Sequence, residues 1–159
     1  MKLIFLDFDG VLNSIKYYKA GHIVYDEIFN GKFDPEAIAI LNRIIRKTGA
    51  QIVLTADLNI FYPRLPKMLE KMGIYGKIYS VLPITYTFST TTQIDNISDK
   101  KCKQILDFIE KEKDNIESYC VLSSINNKLN IDNFLQTSYS IGLTEEIAQK
   151  AIQILNKKL

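Results

Sequence analysis

Two aspartates separated by one residue open the chemistry of this chain. Asp7 and Asp9 lie in Asp7-Phe8-Asp9-Gly10-Val11-Leu12-Asn13, directly after the apolar run Leu3-Ile4-Phe5-Leu6. Side chains two residues apart at a strand end point the same way. If the chain begins to turn there, Asp7 faces a pocket that the Asp9 side chain and nearby carbonyls share. Paired carboxylates make a hard oxygen site suited to Mg²⁺. One Asp can attack phosphorus while its neighbour protonates the leaving oxygen and later activates water. Gly10 lets the backbone turn sharply. The same letters also describe an ordinary Asp-Gly turn. Their place after the first buried strand, with Val-Leu-Asn following, favours the chemical reading.

The rest of the inventory narrows the options. The 159 residues carry one histidine, His22, so multi-histidine zinc sites are excluded. Two cysteines, Cys102 and Cys120, cannot build a tetrathiolate site or a disulfide framework, and no disulfide partner is implied. Twenty basic against eighteen acidic residues leave +2, too balanced to argue for nucleic acid by charge alone. No apolar run reaches the roughly 18 residues of a membrane span. Leu3–Leu6 is cut off by Asp7 and Asp9, so it does not read as a signal peptide. The expected setting is cytoplasmic, with carboxylates, hydroxyls and lysines as the chemical equipment.

These groups need elements to hold them. Leu3–Leu6 lacks polar alternation and predicts a strand buried on both faces. Asp34-Pro35-Glu36 reads as N-cap, first helical position and first-turn acid. Ala37, Ile38, Leu41, Ile44 and Ile45 follow at helical spacing, and Gly49 ends that helix. Gln51–Leu54 predicts a second strand, about Phe61–Met72 a helix stopped by Gly73, and Lys77–Val81 a third strand. Residues 83–97, rich in Thr and Ser, predict an irregular or hairpin insertion. A helix starts at Ser98 or Asp99 and carries Ile105, Phe108 and Ile109. Tyr119–Leu122 predicts a fourth strand and Ser138–Ile141 a short fifth. Thr144 caps a last helix bearing Ile147, Ala148, Ala151, Ile152 and Leu155. The alternation predicts one α/β domain over 1–159, a three-layer doubly wound parallel sheet with helices on both faces. In such sheets ligands bind beyond the carboxyl ends of the strands. There stand Asp7–Gly10, Thr55-Ala56-Asp57, Val81–Pro83, Ser123-Ser124 and Gly142.

At this point the sequence resembles the haloacid dehalogenase (HAD) superfamily, through Ile4-Phe-Leu-Asp-Phe-Asp-Gly-Val11. It is most similar to the small phosphatase-like domain of RNA-repair proteins. The resemblance implies a HAD-like, Rossmannoid fold with a flap or small cap at about 14–33. It implies Asp7 as nucleophile and Asp9 as general acid and base. The family's second motif, a hydroxyl after the second strand, falls on Thr55, where a hydroxyl can hydrogen-bond a phosphoryl oxygen. Taken alone, a Thr there is ordinary β-branched packing. Relatives often continue with Ser-x-Trp-Arg, whereas this chain has Ala56, Asp57 and Leu58. The third motif, a cation offsetting nucleophile and phosphate, lies in Ser98-Asp-Lys-Lys-Cys-Lys and lands on Lys101. Lys100 and Lys103 read equally well as solvated. Lysines in a first helical turn oppose the helix dipole by about 0.3–1 kcal/mol, and a local rule broken there points to function.

The fourth motif departs from the family. Where the resemblance places one or two Asp to complete a Mg²⁺ shell, this chain has Ser123-Ser124. At an effective dielectric of about 20, charges 4 Å apart interact by roughly 4 kcal/mol per charge product, so the metal site is weakened. Ser123 and Ser124 are weak ligands in place of those acids, and Asp132 or Asp57 are the acids that could substitute. In the flap, Tyr17, Tyr18, His22 and Tyr25 with Lys16 and Lys19 read as hairpin contacts or as stacking partners for bases. The expected function is a Mg²⁺-dependent phosphatase acting through an aspartyl-phosphate. Its substrate is a phosphorylated small molecule, a nucleotide or a nucleic-acid end, bound near Gly10, Thr55 and Lys101. The competing reading is a catalytically impaired binding or regulatory module on the same fold.

Overall fold

Strand alternation sorts the apolar residues onto two faces of one sheet. The computed structural model describes residues 1–19, 33–55, 65–82 and 95–157. Its strands are β1 Lys2–Leu6, β2 Gln51–Leu54, β3 Ile78–Val81, β4 Ser118–Ser123 and β5 Phe134–Gln136. They pair in the order β3-β2-β1-β4-β5, every pair parallel. The helices are α1 Ile15–Lys19, α2 Pro35–Thr48, α3 Leu65–Lys71, α4 Asp95–Glu112 and α5 Glu145–Asn156.

On one face Ile4, Leu6, Ile52, Leu54, Cys120 and Leu122 pack against Leu41 and Ile44 of α2, Leu69 of α3 and Ala148, Ala151 and Leu155 of α5. On the other, Leu3, Phe5, Val53 and Val121 pack against Cys102 and Ile105 of α4. Burying each large aliphatic or aromatic side chain contributes about 1.5–3 kcal/mol. The central strand, covered on both sides, is the best-anchored element. Phe5 meets Phe108 and Tyr119 edge-to-face, with ring centroids 5.7 and 5.9 Å apart.

Helix ends follow the residues that mark them. The Asp34 carboxylate accepts the Glu36 N–H at 2.9 Å, and the Gly49 N–H donates to the Ile45 carbonyl at 2.8 Å. Thr144 accepts the Ile147 N–H at 3.4 Å at the start of α5. No described helix is long and apolar enough to cross a membrane.

Four expectations change. The fifth strand is Phe134–Gln136, not Ser138–Ile141. Ser138 instead accepts the Ile141 and Gly142 N–H groups in a turn, and Tyr139 and Ile141 are exposed. A three-residue edge strand has too little alternation to be legible, whereas Tyr139 and Ile141 imitate it. Second, α4 begins at Asp95 rather than at Ser98 or Asp99. The predicted insertion therefore ends inside a helix. Third, Lys101 lies in the second turn of α4 and not in the first, where a lysine would oppose the helix dipole. Fourth, the start of the flap is the short helix α1 rather than a hairpin. His22, Tyr25, Ala56, Asp57, Leu58 and 83–94 lie outside the described residues, as does the start of the helix expected from Phe61.

Candidate functional site

Parity along three neighbouring strands assembles the site. Phe5, Val53 and Val121 face α4, and the next residues of the same parity are Asp7, Thr55 and Ser123. Leu6 registers with Leu54 on one side and Leu122 on the other, so these three come side by side. The ladders continue past the named strands. The Asp7 N–H donates to the Leu122 carbonyl at 3.0 Å, and the Thr55 N–H to the Leu6 carbonyl at 2.9 Å. From above this row, α4 lowers Lys101, on the same helix face as Cys102 and Ile105.

Asp7 is the centre. Its Oδ2 accepts from Lys101 Nζ at 2.6 Å and from Ser123 Oγ at 2.9 Å, partners 94 and 116 residues away in sequence. Its Oδ1 accepts the Phe8 N–H at 3.0 Å. Asp7 and Lys101 are only 5% and 7% exposed, so each is the other's charge compensation in a poorly solvated place. Lys100 and Lys103 are exposed, which resolves which lysine meets Asp7.

The turn after Asp7 is held separately. Asp9 is exposed, and its Oδ1 accepts from Asn13 Nδ2 at 3.0 Å. Asn13 Oδ1 in turn accepts the Gly10 N–H at 3.0 Å. The Asp9 carbonyl accepts from Ser124 Oγ at 2.7 Å. Gly10 has φ +71°, and a Cβ there would stand 2.6 Å from Ser124 Cβ and 2.7 Å from its Oγ. Left-handed backbone and close approach both demand glycine. Gly10 therefore shapes the turn rather than offering a side chain.

Thr55 is 1% exposed, and its hydroxyl has no hydrogen-bond partner among the described residues. A buried hydroxyl left unsatisfied is costly, and such a group at a strand end is a ready donor for a ligand oxygen. Asn13, the last residue of the motif run, brackets Asp9 and Gly10. One neighbour of the site has no signal in the sequence. Thr137, buried just after β5, has a hydroxyl with no partner among the described residues. Its N–H donates to the Ser123 carbonyl at 2.9 Å. Misplacing β5 hid it. Asp132 is exposed and makes no described contact with this cluster.

A carboxylate, an ammonium and buried hydroxyls gathered beyond the carboxyl ends of an all-parallel sheet define a HAD-like α/β domain of Rossmannoid type. The family described as "HAD domain in Swiss Army Knife RNA repair proteins" matches residues 3–148, and the chain belongs to it. Membership indicates phosphatase or hydrolase chemistry in general, and phosphatases of this superfamily typically use Mg²⁺. Searches of curated proteins and of solved structures found no match.

Mg²⁺ needs near-octahedral oxygen ligands, normally anchored by carboxylates. Among the described residues no group of three or more His, Cys, Asp or Glu could hold an ion. At the loop, Asp7 Oδ2 already takes two donors, one of them an ammonium. The Asp9 carbonyl takes the Ser124 hydroxyl, and Ser123 and Ser124 are neutral. Among the described residues, a divalent ion beside Asp7 would meet that carboxylate, already carrying two donors, and a like charge on Lys101. The residues present do not fit it.

Proposed function

We propose that this domain engages a phosphoryl group at Asp7 and acts as a phosphohydrolase through an aspartyl-phosphate. The observation that carries the reading is the convergence of Lys101 and Ser123 on Asp7 Oδ2, next to a strand end where the buried Thr55 hydroxyl has no partner among the described residues. Lys101 has three donor hydrogens, so it can hold Asp7 and a phosphoryl oxygen together. Thr55 donates to a second phosphoryl oxygen. Asp7 attacks phosphorus and displaces the ester oxygen, which takes a proton from Asp9. Asp9 then removes a proton from water, which attacks the acyl phosphate and releases phosphate and Asp7. The magnesium dependence implied by the resemblance is not part of this reading, because the ligand set does not suit the ion. The family's RNA-repair context favours a phosphorylated nucleotide or nucleic-acid end as substrate.

A second reading has its own observation. Serines at the fourth strand's end, one of them tied to the Asp9 carbonyl, favour a module that keeps the fold without efficient turnover.

One assay separates the two: hydrolysis of an aryl phosphate and of 5′- and 3′-phosphorylated oligonucleotides, in Mg²⁺ and in EDTA. Asp7→Asn should reduce any turnover by on the order of a thousandfold or more, as expected for loss of a nucleophile. Turnover that Asp7→Asn leaves intact sinks the nucleophile assignment. Absence of turnover on every substrate selects the module.

A further inference from the structure

We infer that this site works without a divalent cation, its two cross-links between the β1 and β4 ends being made by hydroxyls and its compensating charge by Lys101. The inference rests on the placement of the phosphoryl site at Asp7. An ion between the Asp7 loop and the end of β4 would perform two tasks. It would offset the Asp7 carboxylate, and it would tie the loop to the end of β4. Both are already performed. Ser123 Oγ reaches Asp7 Oδ2 at 2.9 Å, and Ser124 Oγ reaches the Asp9 carbonyl at 2.7 Å. Lys101 Nζ, 2.6 Å from the same Asp7 oxygen, supplies the positive charge.

Packing closes the remaining room. The Gly10 Cα lies so near Ser124 that a single added carbon would stand 2.6 Å from its Cβ. The loop has therefore closed onto a small neutral residue. A carboxylate in its place would need both more space and a counter-charge. Serine, loop closure and Lys101 form one consistent arrangement.

The test is binding, read independently of turnover. The 159-residue chain is titrated with Mn²⁺ as a paramagnetic stand-in for Mg²⁺, and the free ion is followed by electron paramagnetic resonance. Wild type is expected to leave the ion free up to millimolar concentration. Ser123→Asp/Ser124→Asp, with folding checked by circular dichroism, should bind one ion at least about tenfold more tightly than wild type, since ligand charge sets affinity. Saturable submillimolar binding by wild type that Asp7→Asn abolishes overturns the inference. So does a folded double variant that gains no affinity. The assay in EDTA separates this claim from the phosphohydrolase reading. Turnover dependent on Asp7 but abolished by EDTA keeps that reading and overturns this one. No turnover, with no Mn²⁺ bound by wild type, sinks the hydrolase and leaves the cation-free site standing.

Discussion

A carboxylate and an ammonium that are both almost completely buried depend on each other more than either contributes to stability. Separating such a pair by removing one member leaves an uncompensated charge and costs about 3–5 kcal/mol, whereas removing both costs much less. Lys101→Met should therefore lower the unfolding free energy by about 3–5 kcal/mol, and adding Asp7→Asn should restore part of it. Denaturant unfolding of the two single variants and the double variant checks this. Simple addition of the two losses would show that the 2.6 Å contact does not couple them. Ser123→Ala removes a hydrogen bond from an uncharged hydroxyl to the same carboxylate oxygen and should cost less, about 1.5–3 kcal/mol. The aspartates and Thr55 were legible as residue types at strand ends, and Lys101 through the family resemblance. Ser123 was legible as a departure from a pattern, but its bond to Asp7 spans 116 residues and no local rule reaches that far.

The elements turn those residues into a site by close approach. β1 ends in a loop whose glycine lies against the residue after β4, so a methyl group at position 10 meets two obstacles. It would force a left-handed backbone on a residue with a Cβ, at about 1–2 kcal/mol. It would also collide with Ser124, and overpacking of this kind costs about 1–3 kcal/mol. Gly10→Ala should lose about 2–5 kcal/mol in chemical denaturation. Introducing Ser124→Gly into that background should return the steric part and leave the backbone part. A full rescue would mean that φ is not strained. The need for a turn at Gly10 was readable from its position after Asp9. The identity of its neighbour was not, because parallel pairing of β1 with β4 brings residues more than a hundred positions apart together. The start of α4 shows the same limit. Ser98 and Asp99 are good cap residues locally, yet the helix extends back to Asp95.

Over the whole molecule, the central sheet sits between two apolar layers, and the two thiols report on them separately. Cys120 lies in the layer under α2 and α5, and Cys102 in the layer under α4. Burial pushes the Cys120 thiol up to about 12 and raises that of Cys102 as well. At pH 8 both stay protonated in the folded chain, and a disulfide reagent needs the thiolate. Native protein should therefore leave both thiols unmodified, while denaturant exposes them, with the absorbance of the released aromatic thiolate as readout. The sign of the stability effect follows. The folded chain holds the Cys120 proton more tightly than the unfolded chain, whose thiol titrates near its ordinary value of 9.0. That contribution is fully present below pH 9 and is lost as pH rises from there towards about 12. Rapid modification of Cys120 in native protein at pH 8 would show that the central layers open far more readily than their packing implies.

What the sequence determined by itself is local or periodic. Apolar strand runs, helix caps at Asp34 and Thr144, and the Asp7-x-Asp9-Gly10 run identify a parallel α/β domain and the strand end where its chemistry gathers. Period and capping act over a few residues, so one reading of the chain contains them. Only the tertiary structure decided the pairings. It set β5 at Phe134–Gln136, put Lys101 rather than Lys100 or Lys103 on Asp7, and exposed Thr137 as a neighbour of Ser123. It also showed that the serines at the end of β4 bind the Asp7 loop directly. Each of these depends on strand register and helix packing across the whole chain, where burial and hydrogen bonding choose among partners that are locally equivalent.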